Sequence, residues 1–228
     1  MGITKEHVPP RSFFPDREKE QLLTVKSCPR HNNAKSKDDL YVLAQICMNA
    51  SPSNRAREVF MNKVAPQLEF NNGALRKRLA AGAVPLGNGA VKYEVDVARL
   101  DDFFTALSCG IIYKSCGSSL PADYKIAHVF HSFQSDADSK MREIEDAINT
   151  LYSEKPMDFM EFGNPDTKNE KIYTVTIFGI PKFQSSITIV HRFFGVFKVT
   201  SMLTRVVPAG LAIPSLQGAS RSAPELQH

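Results

Sequence analysis

Two short groups of residues near the N-terminus carry side chains that could do chemistry together. The first is Glu6-His7, followed after Val8 by Pro9-Pro10. The second is Cys28-Pro29-Arg30-His31-Asn32-Asn33, which follows a Leu23-Thr24-Val25 run. Hydrolysis of a phosphodiester needs a water made nucleophilic and stabilisation of the charge that develops on oxygen. An imidazole titrates near neutrality and is a suitable proton acceptor. A carboxylate is a hard ligand for Mg²⁺ or a similar ion, and an amide oxygen is another. Neighbours on an extended chain point to opposite sides, so Glu6 and His7 could serve metal and water from one strand end. Pro9 and Pro10 restrict the chain just after the His to extended conformations.

The stretch from Thr4 through Phe14-Pro15, with Glu6-His7-x-Pro-Pro at its centre, and then Leu23 to Asn33 and Ser36-Lys37-Asp38-Asp39, resembles an HNH nuclease of the ββα-metal class. The resemblance implies a hairpin and a helix that hold one divalent ion, Mg²⁺ or Mn²⁺, and a general-base His against DNA. It implies His7 as the base and Glu6 and Asn32 as metal ligands, with Asn33 the next choice. A further family position, often Asn, orients the base. It falls near Leu23 or Thr24, of which only Thr24 can hydrogen-bond through its side chain.

Many relatives bracket the hairpin with two Cys-x-x-Cys or Cys-x-x-His pairs around a structural Zn²⁺. Cys28 and His31 give one such pair, half of the four ligands a structural zinc takes. No Cys precedes Glu6. Either the zinc has been lost or the true start lies upstream; a structural zinc is not expected in this chain.

The elements that must position these groups follow from patterning. Ser36-Lys37-Asp38-Asp39 has the form of a capping box with Asp in place of Glu, so a helix is expected from Ser36, with Leu40, Leu43, Ala44 and Cys47 on its apolar stripe. Asp38 and Asp39 either cap that helix or support the metal site from behind, and Asp38 is taken as the candidate. Arg11 and Lys37 are candidate phosphate contacts. A second helix is expected over Pro52–Leu68 and a third over Ala74–Ala81. Between Asn54 and Leu79, Arg55, Arg57, Lys63, Arg76, Lys77 and Arg78 outnumber Glu58 and Glu69. This basic segment is either a solvated face or a phosphate-binding surface, with Arg76, Lys77 and Arg78 as the candidates.

Gly82–Ala90 reads as a linker or tight connection. Beyond it, Val95–Tyr113 is expected to be a helix with Leu100, Phe103, Phe104, Leu107 and Ile111 in the core. Ala127–Phe133 is expected as a strand, Ser135–Tyr152 as an amphipathic helix, and Tyr173–Phe178 and Ile187–Ser201 as strand. His128 and His131 should fall on opposite faces of their strand, and His191 ends an apolar run; none is expected to be a ligand. This half also resembles, more weakly, the accessory region of some bacterial HNH-containing proteins.

The 228 residues carry 43% hydrophobic and 23% charged residues, ordinary for a globular chain. The net charge of +4 and pI near 8.8 permit a nucleic-acid partner without requiring one. No apolar run approaches the ~18 residues of a membrane span. Four scattered Cys and no secretory signal predict reduced thiols and a cytoplasmic protein. The expected fold is α+β. Residues 1–50 form an HNH-like ββα-metal unit, 51–81 a basic helical segment, 91–206 an accessory α+β region and 207–228 a disordered tail. The expected function is a metal-dependent endonuclease acting on DNA. The alternative is a non-catalytic module of the same shape that binds nucleic acid or protein.

Overall fold

The computed structural model describes residues 4–15, 22–27, 29–50, 53–87, 90–131, 158–160, 172–179 and 186–206, with the isolated positions 143, 146 and 150. Within them the chain is a mixture of helices and antiparallel sheets, an α+β arrangement. Strands β1 (Thr4–Val8) and β2 (Leu23–Ser27) pair as an antiparallel hairpin, with Glu6 opposite Val25 and His7 opposite Thr24. Helix α1 (Pro29–Asn49) follows.

α1 begins at Pro29, not at Ser36. His31, Asn32 and Asn33, which precede the expected helix start, lie within its first turns. Proline is pre-organised for the first helical position, and nothing between it and Ser36 breaks a helix. The Ser36 capping signal is therefore overridden, and Asp38 and Asp39 are interior rather than capping residues.

Helix α2 (Asn54–Val59), capped by the Ser53 hydroxyl, runs on through a π-helical stretch over Phe60–Val64 and a 3-10 turn over Ala65–Gln67. Together these occupy the span expected as one helix. Helix α3 (Phe70–Leu79) opens with Asn71, Asn72 and Gly73 in left-handed conformation, so its regular part starts at Ala74. The Gly82–Ala90 stretch, expected as a linker or tight connection, contributes to a two-stranded ribbon, β3 (Val84–Gly87) against β4 (Ala90–Lys92).

Helix α4 (Val97–Cys116) sits where sequence places it. Its start is capped by the Asp96 carboxylate, and it ends at Gly117, whose φ of 72° suits a residue without Cβ. The remaining strands form one antiparallel sheet in the order β5 (Tyr124–Phe130), β9 (Phe197–Arg205), β8 (Ser186–Phe193), β7 (Tyr173–Phe178), β6 (Asp158–Met160). The run expected as a single strand over Ile187–Ser201 is a hairpin. Phe194 and Gly195 both take positive φ, at 54° and 73°, which matches the twist of the flanking strands. The helix expected over Ser135–Tyr152 falls outside the described residues except at Glu143, Asp146 and Thr150, which are helical. The tail from Val207 also falls outside them.

α4 is the wall shared by both halves. One side packs Phe104 against Phe193 and Phe197 of the sheet. Another side meets α1 and the β1–β2 hairpin. There Val8 presses on Gly110, where a Cβ would lie 2.9 Å from a Val8 methyl. The turn after β1 is pinned as well. Phe13 is fully buried, stacked on Phe103 with ring centroids 5.5 Å apart, and it also contacts Phe193. One continuous core thus runs from Val8 to Leu203.

Candidate active site

Val8 on Gly110 anchors the strand end that bears Glu6 and His7, and Phe13 on Phe103 anchors the turn that bears Arg11. That segment lines a cleft of about 320 Å³ together with Lys5, Pro10, Ser12 and Asp39. Beneath it lies a small cavity of about 20 Å³. It shares Glu6, His7, Pro10 and Asp39, and Phe103, Ala106 and Leu107 of α4 floor it. That space suffices for one water or one ion. Its apolar lining comes from α4, where Phe103 and Leu107 also belong to the core.

His7 is half-buried. Burial lowers its pKa below the ordinary histidine value, and the nearby Arg11 guanidinium lowers it further. Both effects favour the neutral imidazole, the form that accepts a proton. Thr24 stands directly across the hairpin from His7, and residues paired in this way share a face of the sheet. Glu6 lies one residue away, opposite Val25.

Asp39 is the cleft residue that sequence reasoning did not select. Asp38, the expected supporting acid, is bound by the Arg99 guanidinium at the start of α4. Arg99 also pairs with Asp96 at 3.0 Å and lies over the Tyr41 ring. Asp38 therefore ties α1 to α4, and Asp39 is the acid that lines the cleft. The two neighbouring acids look alike in sequence, and it is the Arg99 pairing of Asp38 that separates them.

Asn32, Asn33, His31 and Lys37 belong to α1, and their side chains fall outside the described residues, as does Cys28. The zinc half-site thus lies outside them too. Among the described residues no three His, Cys, Asp or Glu side chains are grouped as a metal site. Mg²⁺ does not require such a cage. It is commonly held by one or two carboxylates and keeps several waters, and Glu6 and Asp39 offer two hard oxygen groups on one cleft.

Arg76, Lys77 and Arg78 form the exposed last turn of α3, away from the cleft lining; Arg76 pairs with Glu69 at 2.7 Å. In the sheet half, His128 bonds Thr105 and Ser201, whereas His131 bonds Thr200, so the two imidazoles do lie on opposite faces. His191 is fully buried, with Tyr173 on Nδ1 and Ser108 and Ser201 on Nε2. No helix of the described residues is long and apolar enough to cross a membrane. Comparison with family models, curated proteins and solved structures gives no match to this chain.

Proposed function

We propose that the chain is a metal-dependent nuclease of the HNH type, cutting DNA phosphodiester bonds at the Glu6–His7 cleft. The observation that carries this reading is the meeting of Glu6, His7, Arg11 and Asp39 on one cleft above a cavity the size of a single water. The hairpin followed by a helix is the order of elements such a ββα-metal unit would have.

In this reading His7 takes the proton of the attacking water, and Thr24 steadies its ring. Glu6 and Asp39 hold the divalent ion, with Asn32 of α1 as a further ligand. The ion supplies charge neutralisation at the phosphate oxygens when bound. Arg11, exposed at the rim, meets a phosphate. The low pKa of His7 supports its role, because the base must be neutral when it acts.

The rival is a binding module of the same shape without a working site. One observation favours it: among the described residues no group of three metal-ligating side chains is assembled. A plasmid-nicking assay separates the two. The nuclease reading expects nicking in Mg²⁺ or Mn²⁺ and none in EDTA. DNA retention without nicking in either metal would leave the binding module.

A further inference from the structure

The β3–β4 ribbon carries an unusual surface. Val84, Leu86 and Val91 are 55%, 63% and 51% exposed on an element only a few residues long. Register places them on both faces. Val84 shares a face with Lys92, with which it pairs, whereas Val91 pairs with Pro85 on the other, and Leu86 stands at the bulge between Pro85 and Gly87. Exposed apolar side chains on both faces of a narrow ribbon mark a surface meant to be covered.

The base of the ribbon is fixed. The Glu94 amide donates to the Ala81 carbonyl at 3.0 Å, and the Tyr93 hydroxyl accepts from Asn49 of α1 at 2.9 Å. Gly82, with φ of 61°, packs so closely on Glu94 that a Cβ there would lie 2.5 Å from that side chain. The base of the ribbon is therefore held in place, and the basic turn Arg76-Lys77-Arg78 leads directly into it through the Ala80 amide bonded to the Arg76 carbonyl. From Val84 to Lys92 the sequence has no carboxylate and one cation.

Charge complementarity selects the occupant. Arg76, Lys77, Arg78 and Lys92 near the root outnumber Glu94 and the Glu69 that pairs with Arg76, and an apolar blade with this cationic excess fits a partner that is anionic outside and apolar inside. A membrane-lying element offers one apolar face rather than two. A symmetric second copy meeting at this ribbon would bring two Arg76-Lys77-Arg78 turns toward each other. Duplex DNA meets both requirements, since small apolar wedges enter the minor groove and part base steps while flanking cations hold phosphates.

We propose that the β3–β4 ribbon is a minor-groove wedge, with Leu86 and Val84 between base steps and Arg76, Lys77 and Arg78 on the adjacent phosphates. This rests on the reading of DNA as the partner but not on cleavage. The wedge bends DNA, which would present a strained phosphodiester to the cleft.

The test uses the full chain in EDTA with a duplex carrying end-to-end fluorescence-transfer dyes and an internal 2-aminopurine. Wild type should bend the duplex and raise 2-aminopurine fluorescence. Val84→Ser/Leu86→Ser/Val91→Ser should bind roughly ten- to a hundredfold more weakly and leave the base stacked. Leu86→Ser alone guards against misfolding of the triple variant and should lose most of the unstacking, and Leu86→Met should retain it. Arg76→Ala/Lys77→Ala/Arg78→Ala should weaken binding and flatten its salt dependence. Unchanged bending and unstacking by the ribbon variants would overturn the wedge. So would absence of duplex binding, or ribbon-dependent pelleting with phosphatidylserine vesicles in place of unstacking. Unstacking without nicking in Mg²⁺ or Mn²⁺ would remove the nuclease reading and leave the wedge. Nicking with full unstacking by the ribbon variants would do the reverse.

Discussion

His7 and Thr24 are directly paired across the β1–β2 hairpin, with their side chains on the same face. A hydroxyl at that position can steady the imidazole in the orientation a base needs. Thr24→Val should therefore slow cleavage about tenfold and move the acid limb of the pH–rate profile, and Thr24→Ser should restore both. A profile that does not move in Thr24→Val, with the fold intact, would assign Thr24 to hairpin packing alone.

Neighbouring acids on α1 should behave differently. Asp39 lines the cleft, whereas Asp38 is held by Arg99. Asp39→Asn should raise the Mg²⁺ concentration for half-maximal cleavage tenfold or more, roughly the effect of losing a metal-supporting group. Asp38→Asn should leave that concentration unchanged and cost about 1 kcal/mol or less in stability, the scale of a partly exposed ion pair. Equal Mg²⁺ dependence in the two variants would remove Asp39 from the site.

The close approach of Val8 to Gly110 predicts coupling between hairpin and α4. Gly110→Ala gains about 1 kcal/mol of helix propensity but crowds Val8, at a cost of about 1–3 kcal/mol. Combined with Val8→Ala, which removes the obstructing methyls, it should be less destabilising than the sum of the single changes by about 1 kcal/mol. Urea denaturation of the four proteins measures this. Strict additivity would mean that the two residues do not press on each other.

Much of the fold was legible because the core signals are strong. The α4 stripe and β7 follow directly from apolar periodicity, and Leu100, Phe103, Phe104, Leu107 and Ile111 are buried as expected. The misses have local causes. The Ser36 cap looked like a helix start because Pro29 was not weighed as one. The β3–β4 ribbon looked like a linker or tight connection because its strands are short and exposed and their register carries a bulge. The turn at Phe194-Gly195 was hidden because Phe is not a turn residue. Asp38 and Asp39 are both candidates in the sequence, and the choice between them depends on which one Arg99 binds, a contact 61 residues away in the chain. Glu6 and His7 stand out in the sequence only through the longer pattern that runs on to Cys28, His31 and Asn32, because Glu-His beside prolines is common by itself.

The buried polar cluster of the sheet half predicts a pH dependence of stability. Burial, and then His128 nearby, push the His191 pKa down to about 3 from an unfolded value of 6.5. Tyr173, Ser108 and Ser201 face its ring, and Thr105 reaches the cluster through His128. The unfolded chain binds the proton between those two values and the folded chain does not. The stabilisation is thus full above pH 6.5 and is lost as pH falls toward 3. From pH 7 to pH 5 the loss from this group is about 2 kcal/mol. His191→Leu should be less stable at pH 7, because it leaves hydroxyls unpaired, but should lose less on going to pH 5. An identical loss in both proteins would exclude His191 as its source.

The central claim is that His7 is the base of a metal-dependent nuclease. Its most direct test is the single-turnover nicking rate of wild type and His7→Ala in Mg²⁺ across pH 5 to 8. Wild type should nick with an acid limb below pH 6.5, because burial and Arg11 keep the imidazole neutral to lower pH than usual. His7→Ala should be slower by about two to four orders of magnitude, lack that limb, and bind DNA as wild type does. Equal nicking by both proteins, or no nicking by wild type in either Mg²⁺ or Mn²⁺, would contradict the claim.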